Sequence, residues 1–108
     1  MKSLRAANRR PTHPGAVLRE DVLPALDMSQ AELARLLNVS RVSVSELLHE
    51  KRSLTPAMAT RIATLLNTSA ESWLLMQQAL DLWQVRQAQT QLGDVHPLPR
   101  SRLAALAG

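Results

Sequence analysis

The chain has no cysteine, no phenylalanine and no tyrosine among its 108 residues. Without cysteine there are no disulfides, no thiol nucleophile and no thiolate metal site, a composition compatible with a reducing cytoplasm. Trp73 and Trp83 are the only aromatic residues in a sequence that is 45% hydrophobic, so leucine must fill the core. That composition favours helices over sheet. Long apolar runs are missing as well. The opening MKSLRAANRRP is basic but is followed by no signal-peptide core, and no apolar run approaches bilayer length. A soluble cytoplasmic protein without a membrane partner is expected.

Catalytic signatures are also absent. His13, His49 and His96 lie far apart with no carboxylate at ligand spacing, and there is no glycine-rich phosphate loop. No nucleophile motif frames a serine, and Glu20 and Asp21 are neighbours on one helix and therefore diverge. Neither an enzyme nor a cofactor is expected.

What is present is cationic. The net charge is +4, and eleven of the thirteen cations are arginine, whose planar fork suits phosphate and guanine. A polyanionic partner fits, although Lys2, Arg5, Arg9 and Arg10 also read as a solvated tail and charge alone decides nothing.

The chain divides into a flexible basic arm over 1–11, a helical domain over 12–90 and a tail over 91–108. Pro14 suits a first helical turn, and Leu18 and Val22 share a face that Pro24 is expected to end, giving helix one over about 14–23. Ser29 and Glu32 have capping-box spacing, and helix two carries Leu33, Ala34 and Leu37 inward to about Leu37. Asn38 and Val39 form a short turn, and Asn tolerates a left-handed backbone.

The next stretch, VSRVSVSELL, alternates as an edge strand would. Yet on a helix Val44, Leu47 and Leu48 form one stripe at i, i+3, i+4, whereas a strand would split the leucine pair across two faces. Helix three, capped by Ser40, is the better reading. Thr55 and Pro56 then start helix four, which carries Met58, Ile62, Leu65 and Leu66. Either Thr68 or Ser69 caps helix five, over about 70–89.

Helix five has apolar residues on more than one side. Trp73, Met76, Leu80 and Trp83 follow one face, and Leu75 and Leu82 another. A central, fully covered helix accounts for this, but in so short a chain a subunit contact is favoured, with Leu75, Ala79, Leu82 and Trp83 as candidate homodimer residues.

Helices two and three, spanning about 29–49, make a helix-turn-helix that presents its second helix to the DNA major groove. Val42 falls about 160° from Val44 on the wheel, with Ser45, Glu46 and His49 on the same outer surface and Arg41 in the first turn. Arg41 suits guanine O6 and N7, Val42 a thymine methyl, and Ser45 either kind of base edge. Glu46 either accepts from cytosine N4 or orients an arginine. Gln30, Ser43, Lys51 and Arg52 flank the reading face as candidate phosphate contacts, and the cap residue Ser40 is a further DNA-binding candidate.

The run from HPG through SQAELA and LTPAMATRIA to SAESWLLMQQALDLW resembles the HigA-type antitoxins of bacterial type II toxin-antitoxin modules, within the wider Cro/C1-like (XRE) helix-turn-helix class. The resemblance spans about Pro11 to Val85. It implies an all-α, five-helix, lambda-repressor-like domain with an extended C-terminal helix, a homodimer that binds double-stranded operator DNA, repression of its own operon, and neutralisation of a HigB-like toxin, a ribosome-dependent mRNA-cleaving ribonuclease. A stand-alone XRE-family repressor with no toxin partner is the alternative. Where the family usually has glutamate after HPG this chain has Ala16, and where it often reads GKRG after the recognition helix this chain has Glu50 and Ser53.

Overall fold

The computed structural model describes residues 9–88, 93 and 95–107, and every regular element among them is helical. The first three elements run end to end: α1 (Pro14–Val17), a π-helical turn (Leu18–Val22) and α2 (Leu23–Leu26). They are followed by α3 (Gln30–Leu37), α4 (Arg41–Leu48), α5 (Pro56–Leu66) and α6 (Ala70–Gln87). A short α7 (Arg100–Leu103) and a 3-10 turn (Ala104–Leu106) lie in the tail and bury no residue. Taking α1 to α2 as one rod, the body has the five helices expected.

The first helix corrects the expected stop at Pro24. Proline has no N–H to give to the carbonyl four residues back, and its ring crowds that carbonyl. The π turn absorbs both problems. The Leu23 amide reaches back five residues to the Leu18 carbonyl, so the chain passes Pro24 in helical conformation and ends at Asp27.

Four helices end in the same way, on a non-glycine residue with left-handed backbone: Asp27, Asn38, Glu50 and Asn67, with φ between 51° and 62°. In each case the next amide donates to the carbonyl five residues back: Met28 to Leu23, Val39 to Ala34, Lys51 to Glu46 and Thr68 to Ala63, at 2.8–3.1 Å. Asp and Asn accept this geometry through their short polar side chains. Glu50 lacks that advantage and needs outside support.

The starts of the helices are capped as the spacing predicts. Ser29, Ser40, Thr55 and Ser69 each accept from the amide three residues on. The choice between Thr68 and Ser69 falls to Ser69, while the Thr68 hydroxyl accepts from Trp73 Nε1 at 2.8 Å. The other half of the capping box differs, because the Glu32 carboxylate lies 3.9 Å from Arg35.

Leucine dominates the core, as the composition requires. Leu18, Leu23, Leu33, Leu37, Leu47, Leu48 and Leu54 are buried with Val44, Ile62 and Trp73. The small residues Ala34 and Ala59 are buried in the same core. Of the expected arm, residues 1–8 lie outside the described ones, while Arg10 pairs with Glu50 at 3.4 Å and Pro11 is half-buried. Among the described residues no helix is long and apolar enough to cross a membrane.

Candidate nucleic-acid interface

The outer face of α4 starts from its cap. The Ser40 hydroxyl accepts from the Ser43 amide at 3.0 Å and donates to the Ser43 hydroxyl at 2.8 Å. With Ser40 thus engaged, α4 begins at Arg41, and Val44, Leu47 and Leu48 are drawn into the core. Arg41 and Val42 are left outside, Val42 at 64% exposure. An aliphatic side chain held in water without a neighbour to cover it gains nothing for folding.

Across from it, Ser29 caps α3 by accepting from the Glu32 amide at 3.0 Å, which places Gln30 in the first turn. Gln30, Arg41, Val42 and Ser45 line one shallow hollow of about 290 Å³. Four of the predicted residues are therefore brought together. Among the described residues Arg41 forms no ion pair, so its guanidinium fork is unengaged.

Glu46, for which two roles were open, is turned to an arginine. Its Oε1 accepts from Arg52 Nη2 at 2.5 Å, which ties α4 to the loop that follows it. His49 is exposed and sits 2.7 Å from the Ser45 carbonyl through Nδ1, so that nitrogen carries hydrogen. Lys51 and Arg52 are both exposed on the loop.

Sequence reasoning passed over the residues that hold this surface from behind. His13 is 4% exposed. Its Nδ1 accepts from the Gly15 amide at 2.8 Å, and its Nε2 lies 3.0 Å from the Arg52 carbonyl oxygen. Gly15 packs so closely that an added Cβ would overlap the Leu47 carbonyl. The HPG triplet therefore seats the start of α1 against the end of α4. Its signal was legible only as a resemblance, because proline at a helix start explains itself locally and the partners of His13 and Gly15 are more than thirty residues away.

Arg19 is the second support. It donates to the Leu48 carbonyl, to Glu50 Oε2 at 3.3 Å and to Glu20 Oε2 at 2.6 Å. Hydrogen bonding to Glu20 is the main cause that pushes the Arg19 guanidinium up from its ordinary value, with Glu50 adding to it and burial opposing it. Glu50 thus receives Arg19 and Arg10 together, which compensates its left-handed backbone.

On α6, Trp73, Gln77 and Leu80 face inward. Met76 packs against the core in part, as expected, and Gln77 beside it is buried as well, because its Oε1 accepts from the Leu54 amide at 2.8 Å while its Nε2 donates to Asp81 at 2.9 Å. Of the candidate dimer residues, Leu75 and Leu82 are 63% and 42% exposed and Ala79 is exposed. Trp83 is half-buried, and its Nε1 is enclosed without a partner among the described residues.

Comparison with known proteins shows the family and the fold. The helix-turn-helix family HTH_3 matches residues 18–73. The HTH-type transcriptional regulator YbaQ of Escherichia coli K12 is 42% identical over 95 residues, covering 85% of this chain and 84% of its own. Among solved structures, the antitoxin GraA superposes with a TM-score of 0.78 at 37% identity, over 83% of this chain and 99% of GraA. The Pseudomonas aeruginosa antitoxin HigA, solved with the higBA promoter, gives 0.77 at 35% identity over 83% of this chain and all of that one.

Proposed function

Because this chain belongs to the Cro/C1-type helix-turn-helix family, with HigA antitoxins among its structural neighbours, we propose that it is an antitoxin that represses its own operon as a homodimer and neutralises a HigB-like mRNA-cleaving toxin. The observation that carries DNA reading is the outward group of Gln30, Arg41, Val42 and Ser45 around one hollow, with Arg41 free of carboxylates among the described residues. In this reading Arg41 takes guanine O6 and N7, Val42 packs on a thymine methyl and Ser45 hydrogen-bonds a neighbouring base edge. Gln30, Ser43, Lys51 and Arg52 serve as positioning contacts to phosphates, His49 stands with Ser45 on the reading face, Ser40 caps the helix that carries it, and Glu46 orients Arg52.

A homodimer through Leu75, Ala79 and Leu82 presents two such faces, with Trp83 at the edge of the contact. Two-fold symmetry then requires half-sites about 34 Å apart on a palindromic operator. Footprinting the region upstream of the gene tests this, and a protected segment without two-fold symmetry overturns it. Arg41→Ala is expected to cost about 1–3 kcal/mol and relax specificity at one base pair, while Arg52→Ala weakens all sequences alike.

Toxin neutralisation rests on the family alone. Co-expression with the adjacent reading frame, scored by growth and co-purification, tests it. Absence of both rescue and co-purification leaves the second reading, a stand-alone repressor, which the resemblance to a transcriptional regulator such as YbaQ supports.

A further inference from the structure

We propose that His13 is a positioning residue for operator binding, acting through the Arg52 carbonyl on the Lys51 and Arg52 phosphate contacts, and that it makes binding sensitive to protons. This rests on the DNA-binding reading above. The hydrogen bonds fix the state of the ring. The Gly15 amide can only donate, so Nδ1 must hold a lone pair, and the ring hydrogen is therefore on Nε2, where it is donated to the Arg52 carbonyl. Both nitrogens of a neutral imidazole are in use.

Adding a proton puts hydrogen on Nδ1 facing the Gly15 N–H, donor against donor. The charged ring cannot retain both contacts without leaving its place. The groups around it do not help it to stay: Arg10 comes from the preceding segment, Glu50, Lys51 and Arg52 from the loop, and Asp81 from α6, around a polar cleft of about 250 Å³. Glu50 is already committed to Arg10 and Arg19, and Asp81 to Gln77.

What moves with the ring is the loop. Its connections to α4 are the Lys51 amide on the Glu46 carbonyl and the Glu46 carboxylate on Arg52, both of which belong to the same stretch of chain. From outside this stretch, Arg10 and Arg19 hold Glu50 at one end of the loop and Gln77 holds the Leu54 amide at the other, while His13, 39 residues away in sequence, holds Arg52 between them. Releasing it frees the Arg52 backbone between the anchored Glu50 and Leu54, which shifts Lys51 and Arg52 relative to the reading face, while the leucine core that holds α4 is untouched.

The test uses the full chain with its footprinted operator and a random duplex of equal length, titrated at constant ionic strength from pH 8.0 to 5.5. His49→Gln is the background, so that the exposed interface histidine does not contribute. Operator affinity is expected to fall on acidification by up to about tenfold per pH unit for each bound protomer, the limit for one linked proton per His13, with helicity by circular dichroism unchanged. His13→Asn, which keeps a cap acceptor but does not titrate, is expected to bind more weakly at pH 8.0, with a flat pH profile and a salt slope shallower by about 1 or 2, as phosphate contacts are lost. His13→Gln, which retains a donor for the Arg52 carbonyl, recovers the salt slope.

Parallel pH profiles for the His13→Asn variant and its parent overturn the proposal, as does acid loss of binding that coincides with loss of helicity. If operator and random duplex bind equally at pH 8.0, the DNA-reading assignment itself fails and takes this proposal with it. Specific binding at pH 8.0 with a flat profile removes the proposal alone.

Discussion

Gly15 of α1 lies against the Leu47 carbonyl of α4 with no room for a side chain between them. The obstruction is backbone on both sides, so neither can rotate away. Gly15→Ala must separate the two helices and is expected to destabilise the protein by about 3 kcal/mol, the upper end for overpacking. Thermal unfolding checks this, with Tm lowered by roughly 10 °C or more. An unchanged Tm would show that the HPG turn does not seat the recognition helix.

Glu46 neutralises Arg52 beside the surface assigned to DNA. Glu46→Gln removes a negative charge from a phosphate-facing surface and releases the guanidinium. Random duplex is expected to bind more tightly, with a salt slope steeper by about 1, and the operator-to-random ratio to fall. Titrations at several salt concentrations decide it; a lower affinity for random DNA would contradict the assignment.

Val42 meets a methyl group in the proposed reading. Replacing thymine by uracil at the matching operator position removes that methyl, at an expected cost of about 0.8 kcal/mol. In Val42→Ala the same replacement should cost little. Equal penalties in both proteins would place the methyl contact elsewhere.

Glu50 combines a left-handed backbone with ion pairs to Arg10 and Arg19. Two variants separate these effects, since Glu50→Ala and Glu50→Gly lose the same carboxylate but only glycine relaxes at positive φ. The alanine variant is expected to be less stable than the glycine variant by about 1 kcal/mol in urea titrations. Equal stabilities would mean that the loop relaxes to another conformation.

Leu75 and Leu82 expose apolar surface on the outer side of α6. Placing glutamate at both positions is expected to yield a monomer by light scattering, with helicity retained and operator affinity strongly reduced. A dimer that survives both changes would move the subunit contact to another face.

The sequence by itself determined the helices from Gln30 onward, the caps at Ser29, Ser40 and Thr55, the left-handed turn at Asn38 and the direction of Val42. Those features depend on neighbours within four residues, and hydrophobic period and cap chemistry report such neighbours directly. The strand-like alternation of VSRVSVSELL was resolved the same way, by Leu47 and Leu48 one turn from Val44. Pro24 misled because the π turn before it shifts the hydrogen-bond register to i→i−5, which the spacing of apolar residues does not signal. Tertiary structure alone decided that Glu46 turns to Arg52, that Gln77 is buried beside Met76, and that His13 reaches the Arg52 carbonyl. Each of these is a polar group satisfied by a partner from another element or loop, brought near by the fold. Hydrophobic patterning carries no record of such a partner, because burial selects apolar side chains by class, whereas a hydrogen bond selects one atom at one distance.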